Sequence, residues 1–286
     1  MSRTVYVNGE WVAEENAKVS VFDRGYLFAD AIYEVTAVAN GRLIDFTGHA
    51  ARLARSLEAL GIKPPVTNDV LKSLHFEIIR RNELTNGLIY LQISRGAEDR
   101  DFLYSASLEP TIVMFTQARN VLANPRWETG ISVATVPEGR WSNRQIKTVQ
   151  LLYSSMAKME VQRKGADDAL FVEDGFITEG TSNNFHIVTS DGTLITRALS
   201  NALLHGITRG SILDIADKAG IPTEQRSFTP DEAKSAAEAF ITSAGVFVMP
   251  VIAIDGQNIG DGKPGPISQK LRALYIQHSL DTSEGP

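Results

Sequence analysis

The stretch from Gln145 to Phe185 reads QIKTVQLLYSSMAKMEVQRKGADDALFVEDGFITEGTSNNF. It holds a helix, a hairpin and a polar run, and the rest of the chain is arranged around it. Lys147 stands just ahead of an apolar-periodic segment, which predicts a helix over Val149–Lys164. Asp174-Gly175 then reads as a hairpin turn, because Asp-Gly tolerates the positive φ angles of a type I′ turn. The returning strand ends at Glu179-Gly180-Thr181-Ser182-Asn183-Asn184. A lysine before a helix and a glutamate at a strand end are each common at protein surfaces. By residue type alone they read as a solvated lysine and a turn residue.

Outward from this stretch the pattern alternates short strands with helices. Thr4–Val7 and Glu10–Val12 flank Asn8-Gly9 and predict a hairpin. A second hairpin is expected over Ile32–Val38 and Arg42–Phe46, around Asn40-Gly41. Residues 48–60 predict an amphipathic helix with Thr47 as N-cap and Gly61 as stop. Thr67 to Arg81 predicts another, with Val70, Leu71, Leu74, Ile78 and Ile79 inward. Strands are expected at Leu88–Ser94 and Thr111–Thr116. Residues 119–127 lack periodicity and contain Pro125, so they read as a linker between a smaller domain, 1–118, and a larger one, 128–286. Further Asp-Gly turns lie at 191–192 and 255–256, and helices are expected at Thr208–Ala219 and Ser268–His278. Thr229-Pro230-Asp231-Glu232 is a capping-box start. The tail from Asp281 to Pro286 reads as disordered. Mixed strands and helices of this kind predict an α+β, mixed α/β architecture.

Composition narrows the function. The chain has 286 residues, 43% of them apolar and 22% charged, which suits a soluble globular protein with a sizeable core. A net charge of −6 with no basic run argues against nucleic acid. No apolar stretch is long enough to span a bilayer, and the start lacks a signal-peptide core, so a cytoplasmic protein is expected. There are no cysteines, which excludes disulfides and thiolate catalysis. The five histidines are scattered, so no metal site is expected. Neither a Gly-x-Ser-x-Gly elbow, a Walker loop nor a Gly-x-Gly-x-x-Gly turn is present.

Several runs taken together carry a resemblance. They are Asp23-Arg24-Gly25-Tyr26 with Phe28, Asp30, Tyr33 and Glu34; Ile146-Lys147 with Leu151-Leu152; Thr178-Glu179-Gly180 with Ser182 and Asn184; and Gly206-Ile207-Thr208-Arg209. In this order, over nearly the whole chain, they resemble the two-domain fold-type IV enzymes dependent on pyridoxal 5′-phosphate (PLP). That group includes the D-amino-acid and branched-chain aminotransferases.

The resemblance implies a site. Lys147 would hold PLP as a Schiff base, since a partly desolvated, neutral amine condenses with an aldehyde. Glu179 would keep the pyridine nitrogen protonated, which makes the ring a better electron sink. Gly206-Ile207-Thr208 opens a predicted helix whose free amides suit a phosphate, so Ile207, Thr208 and the Ser243 hydroxyl are expected donors. Ala244 matches a position that bears a hydroxyl in D-amino-acid aminotransferases, so only its backbone could help. Arg52 of His49-Ala-Ala-Arg52-Leu53 matches the family's phosphate-binding arginine. Leu204 matches the apolar residue against the cofactor ring, and Ser182 and Asn183 complete the cofactor set. Each has an ordinary alternative: a helix start, a solvated arginine, core packing.

Substrate residues are less sharply drawn. Tyr33 matches the family's active-site tyrosine. Arg95 and Arg100 compete to clamp a substrate carboxylate, for which the fork of a guanidinium is suited. D-amino-acid aminotransferases carry Arg-x-His there, and this chain reads Arg100-Asp101-Phe102, with the histidine lost. The implied reaction moves the amino group of a D-amino acid to a 2-oxo acid by a ping-pong course. An (R)-selective amine transaminase is the alternative favoured by Phe102; an aminodeoxychorismate lyase or a non-catalytic PLP-binding relative comes after it. The partners expected are a small amino donor and a keto acceptor, in a homodimer.

Overall fold

The computed structural model describes residues 2–286, which cluster into two compact units. The first runs to Leu122 and adds Ile146–Gln150 and Thr282–Pro286; the second is Ala123–Gln145 with Leu151–Asp281. Lys147, expected in the larger domain, therefore belongs with the first unit. The reason is backbone pairing, described below, which sequence distance does not reveal.

The first unit is built on a six-stranded sheet. Its strands are β1 (Thr4–Val7), β2 (Glu10–Ala13), β3 (Ala31–Ala39), β4 (Arg42–Leu43), β5 (Gly87–Ser94) and β6 (Thr111–Ala118), in the order β2-β1-β6-β5-β3-β4. All neighbours are antiparallel. Asn8 and Gly9 have φ of 47° and 98°, the left-handed pair that the first hairpin needs. Helices α1 (Arg24–Phe28), α2 (Phe46–Leu60) and α3 (Asn68–Arg81) complete it. Leu53, Leu57, Leu71 and Ile78 join Ile32, Val38, Ile89, Leu91 and Met114 in one core.

Several expectations shift here. The second hairpin is cut to two residues on its return, because helix α2 already starts at Phe46. Thr47 is not its cap: Asp45 precedes the helix in a left-handed conformation without a side-chain capping bond, and Gly61 ends it. Thr67 does cap α3, accepting from the Val70 N–H, but Val70 is 44% exposed rather than inward. The terminal tail is ordered. Leu43 and Glu284 exchange backbone hydrogen bonds, Arg42 Nε donates to Ser283 Oγ at 2.8 Å, and Lys72 pairs with Glu284 at 2.6 Å. Short polar tails read as disordered by composition, and composition does not register pairing with a distant strand.

The second unit holds a nine-stranded sheet: β7 (Ile131–Pro137), β8 (Asp168–Glu173), β9 (Phe176–Gly180), β10 (Asn184–Val188), β11 (Leu194–Thr196), β12 (Thr223–Gln225), β13 (Glu238–Ser243), β14 (Phe247–Ile254) and β15 (Gln257–Asn258). The order is β12-β11-β10-β13-β14-β7-β8-β9, with β15 on β14. The β14–β7 and β7–β8 pairs are parallel, so the sheet is mixed. Asp174 and Gly175 turn β8 into β9 with φ of 52° and 81°. The helices are α4 (Arg126–Thr129), α5 (Leu152–Arg163), α6 (Ile207–Lys218), α7 (Pro230–Lys234) and α8 (Pro266–Thr282). Helix α4 begins inside the stretch expected to be linker and runs past its end. Helix α5 starts at Leu152 instead of Val149. Thr229 caps α7 by accepting from Glu232 N–H, with Pro230 in the first turn. Among the described residues no helix is long and apolar enough to cross a membrane.

Candidate active site

In the first unit the segment 146–150 runs alongside β3. Tyr33 N–H donates to the Lys147 carbonyl at 3.0 Å, Val149 N–H to Ala31 O at 3.1 Å, and Thr148 bridges Ile32. The Lys147 N–H reaches Ser56 Oγ of α2 at 3.3 Å. The backbone of Lys147 is thus fixed from both sides. Its Nζ lies 4.1 Å from the centre of the Tyr33 ring, which stacks on Tyr90 at 5.6 Å. Among the described residues no carboxylate or carbonyl accepts from that amine. An amine without an ionic partner is easier to use in its neutral, nucleophilic form.

In the same unit, Arg52 is locked. Its Nε and Nη2 fork onto Glu34 at 2.7 Å each, and His49 Nδ1 lies 2.8 Å from Glu34 Oε2. All three residues are buried. Burial pushes the Glu34 carboxyl up, but the charge and fork of Arg52 with the His49 contact overcome it and hold the group well below the usual carboxylate range.

The two candidate clamps separate. Arg95 is buried, grips Asp30 through Nε (2.7 Å) and Nη2 (3.0 Å), and donates to the carbonyls of Leu60 (2.7 Å) and Gly61 (3.2 Å). Its guanidinium also covers the Tyr104 ring at 3.9 Å. These contacts make it a structural node that ties α1 and α2 to β5, with its guanidinium already engaged inside the protein. Arg100 instead lies exposed, 5.5 Å from the Phe28 ring and 5.8 Å from the Phe102 ring. No carboxylate pairs with it among the described residues. Phe102 is 78% exposed.

The second unit presents a carboxylate and an anion cradle. Glu179, at the end of β9, is 3% exposed. Its oxygens accept from Asn184 Nδ2 at 3.0 Å, from Leu204 N–H at 3.1 and 3.0 Å, and from Arg140 Nη1 at 2.8 Å. Burial raises its pKa, and Arg140 is the chief opposing influence. Asn184 Nδ2 also reaches the Leu204 carbonyl at 2.9 Å, so it links strand β10 to the loop before α6. Gly206 caps α6 in an extended conformation without a side-chain bond, so the first amides are not satisfied by a cap. A Cβ on Gly206 would run into Asn184 Oδ1, which explains the glycine by close approach. Thr208 is buried in the first turn, and Ser243 is half-buried at the end of β13, with Ala244 following in the turn.

Two expected cofactor residues part company. Ser182 stays exposed. The Asn183 side chain turns inward, donating from Nδ2 to Asp168 Oδ2 at 2.9 Å beside Thr181 Oγ1, which reaches Oδ1 at 2.6 Å. That makes its side chain a fastener of the Glu179 turn instead of a cofactor ligand. Arg140 went unnoticed in the sequence: it sits in an aperiodic loop, and only its place beside Glu179 gives it meaning.

The amine of the first unit, and in the second unit the buried carboxylate and the uncapped helix start, are each of a kind that suits an aldehyde-bearing pyridine phosphate. The family described as Amino-transferase class IV matches residues 31–254. This chain belongs to that family. Class IV aminotransferases work with PLP, and the residues of this aminotransferase fit that group. The chain is 36% identical over 278 residues to a D-alanine aminotransferase of Bacillus licheniformis, covering 96% of each. Among solved structures it is similar to the branched-chain aminotransferase of Thermoproteus uzoniensis with norvaline (TM-score 0.87, 27% identity, 98% and 96% of the two chains). A branched-chain amino acid aminotransferase of Thermobaculum terrenum, solved in its PLP form, shares its fold (TM-score 0.85, 22% identity, 98% and 94%). Membership of the aminotransferase family leaves the substrate's handedness to be argued.

Proposed function

We propose that this aminotransferase moves the amino group of a D-amino acid, such as D-alanine, to a 2-oxo acid such as 2-oxoglutarate or pyruvate. The observation that carries the reading is the state of Arg100: exposed, unpaired by any carboxylate among the described residues, and backed by two aromatic rings. A guanidinium so held is available to a substrate carboxylate in a bidentate fork. Similarity to the D-alanine aminotransferase, at 36% identity over nearly the full length, supports the same reading.

Within it, Lys147 would hold PLP, Glu179 would serve the ring nitrogen, and Leu204 would offer its side chain to the ring. The amides of Ile207 and Thr208, the hydroxyls of Thr208 and Ser243 and the Ala244 backbone would hold the phosphate, and Arg52 would be its cation. Bound PLP supplies a sink for the negative charge that develops on the substrate α-carbon. Once the incoming amino donor has displaced it from PLP, Lys147 Nζ would be free to take the α-proton as general base and then, as acid, to deliver it to the carbon that bore the aldehyde. Tyr33 lines its path, since that ring already faces the amine. Arg100 orients the substrate so that the α-proton points to Nζ. The return half-reaction uses the same residues with the keto acid, which gives ping-pong kinetics.

An (R)-amine transaminase is favoured by one observation, the 78% exposure of Phe102 where a polar partner of Arg100 would serve a carboxylate. Both readings place the enzyme in the cytoplasm as a homodimer, the latter in keeping with the exposed Phe102 and Leu103. Assay with D-alanine and 2-oxoglutarate, then with (R)-1-phenylethylamine and pyruvate, separates them. Turnover confined to the amine would replace the first reading by the second.

A further inference from the structure

The loop after β7 sets a guanidinium against Glu179 that the reaction just described does not use. Arg140 Nη1 donates to Glu179 Oε1 at 2.8 Å, while Nε and Nη2 fork onto Glu138 at 2.9 and 2.7 Å. The plane of Arg140 covers the Phe171 ring at 4.3 Å. Glu138 is itself fixed by the Thr178 hydroxyl at 3.0 Å and by Arg144 Nη1 at 3.4 Å, and Arg144 continues to Glu173 at 2.5 Å. Charges therefore alternate along Glu179, Arg140, Glu138, Arg144 and Glu173. The side chains of Arg140 and Glu179 are 11% and 4% exposed, so water screens their attraction weakly.

The consequence concerns one proton. A carboxyl group facing a pyridine nitrogen shares that proton in two ways: as carboxylate with pyridinium, or as carboxylic acid with neutral pyridine. A dry site favours the neutral pair. A permanent cation on the carboxylate reverses the preference, because its charge-assisted hydrogen bond is strongest to the ionised form. Arginine serves here since it stays charged in proteins. Glu138 faces the same guanidinium from the other edge and keeps it in place.

We infer that Arg140 is a positioning residue which keeps Glu179 ionised, so that the shared proton resides on the ring nitrogen of the cofactor. The inference rests on the assignment of Glu179 to that nitrogen. Without the cation, the same proton passes from the ring nitrogen to a Glu179 oxygen with no change in total charge, and the ring becomes a weaker electron sink.

The test is nitrogen NMR of the holoenzyme loaded with PLP carrying ¹⁵N in the ring. The wild type should show the protonated-type shift. Arg140→Gln should move it to the unprotonated position with PLP still bound, and slow removal of the substrate α-proton by about tenfold or more with less change in KM. Arg140→Met, which keeps the packing on Phe171, is a second neutral variant should the glutamine protein fold poorly. Arg140→Lys retains the charge and should retain the protonated shift. A protonated-type shift in the neutral variants, or its loss in Arg140→Lys, would overturn the inference. Glu179→Gln separates the two levels of the argument: if it leaves the ring signal unmoved, Glu179 is not the partner of the ring nitrogen and the underlying assignment fails.

Discussion

Arg95 grips Asp30 with two hydrogen bonds of 2.7 and 3.0 Å, and Arg24 adds a third to the same carboxylate at 3.0 Å. Asp30 thus joins α1 to the end of β5. Removing one partner of a buried pair leaves an uncompensated charge. Arg95→Met should lower the stability of the protein by about 3 kcal/mol, the lower end of the range for such breaks because Arg24 remains. Arg100→Ala, at an exposed side chain, should change it by less than about 0.5 kcal/mol. Urea unfolding of both variants checks the contrast. Equal losses would leave Arg95 in contention as the clamp.

A second prediction follows from Glu34. Its carboxyl is depressed in the folded protein, so the ionised form is bound more strongly there than in the unfolded chain. That stabilisation is complete above the ordinary carboxylate pKa and is lost progressively as pH falls toward the folded value. Stability should therefore drop between about pH 5 and pH 2, and Glu34→Gln should flatten that drop. At neutral pH the same variant should be less stable by about 3–5 kcal/mol, since Arg52 loses its partner in a buried site. A pH dependence unchanged by Glu34→Gln would locate the acid sensitivity elsewhere.

The ordered terminus gives a third. Deleting Ser283–Pro286 removes the backbone pair between Leu43 and Glu284, the Arg42–Ser283 bond and the Lys72–Glu284 ion pair. These lie at the edge of the first sheet and are partly exposed, so about 1–3 kcal/mol should be lost. An unchanged thermal midpoint would mean that the segment is not anchored in solution.

What was legible follows from the range of each interaction. Asn8-Gly9, Asp174-Gly175, Thr67 and Thr229 act within four residues, and their turns and caps form where the sequence places them. Lys147 and Glu179 carry no local signal, and resemblance alone singles them out. Missed were the features made by distant parts of the chain. Segment 146–150 takes its partners from β3, which shortened the helix expected after it. The tail pairs with β4, and Arg140 gains its role from a residue 39 positions away. Arg95 and Arg100 are both loop-side arginines in sequence, and only Asp30 tells them apart.

A fourth prediction concerns Lys147. The purified enzyme should be yellow, and its visible band should shift when an amino donor is added. Lys147→Ala should lose turnover while PLP still binds through the α6 start and Glu179. Borohydride reduction and peptide mapping identify the attached lysine. A pyridoxyl label on another residue would refute the assignment, whatever the activity.

The last prediction sets Arg100 against Phe102. An α-carboxylate leaving water needs charged donors, and one hydrogen bond to a charged group contributes about 1.5–3 kcal/mol. That range corresponds to about one to two powers of ten in binding or rate. Arg100 supplies the charge, but Phe102 offers no donor, and its ring stands 5.7 Å from that of Phe28 as an apolar wall. D-amino acids should react, and (R)-primary amines should show side activity, because an apolar wall does not penalise a substrate without a carboxylate. Arg100→Ala should lower activity toward D-alanine by about tenfold or more, taking the lower bound of that range, and change amine activity much less. Phe102→His adds a donor at the position and should favour D-alanine over the amine. Steady-state kcat/KM on both substrates decides the matter. If Arg100→Ala depresses both equally, the guanidinium orders the loop around Phe28 and Phe102, and the carboxylate is held by another group.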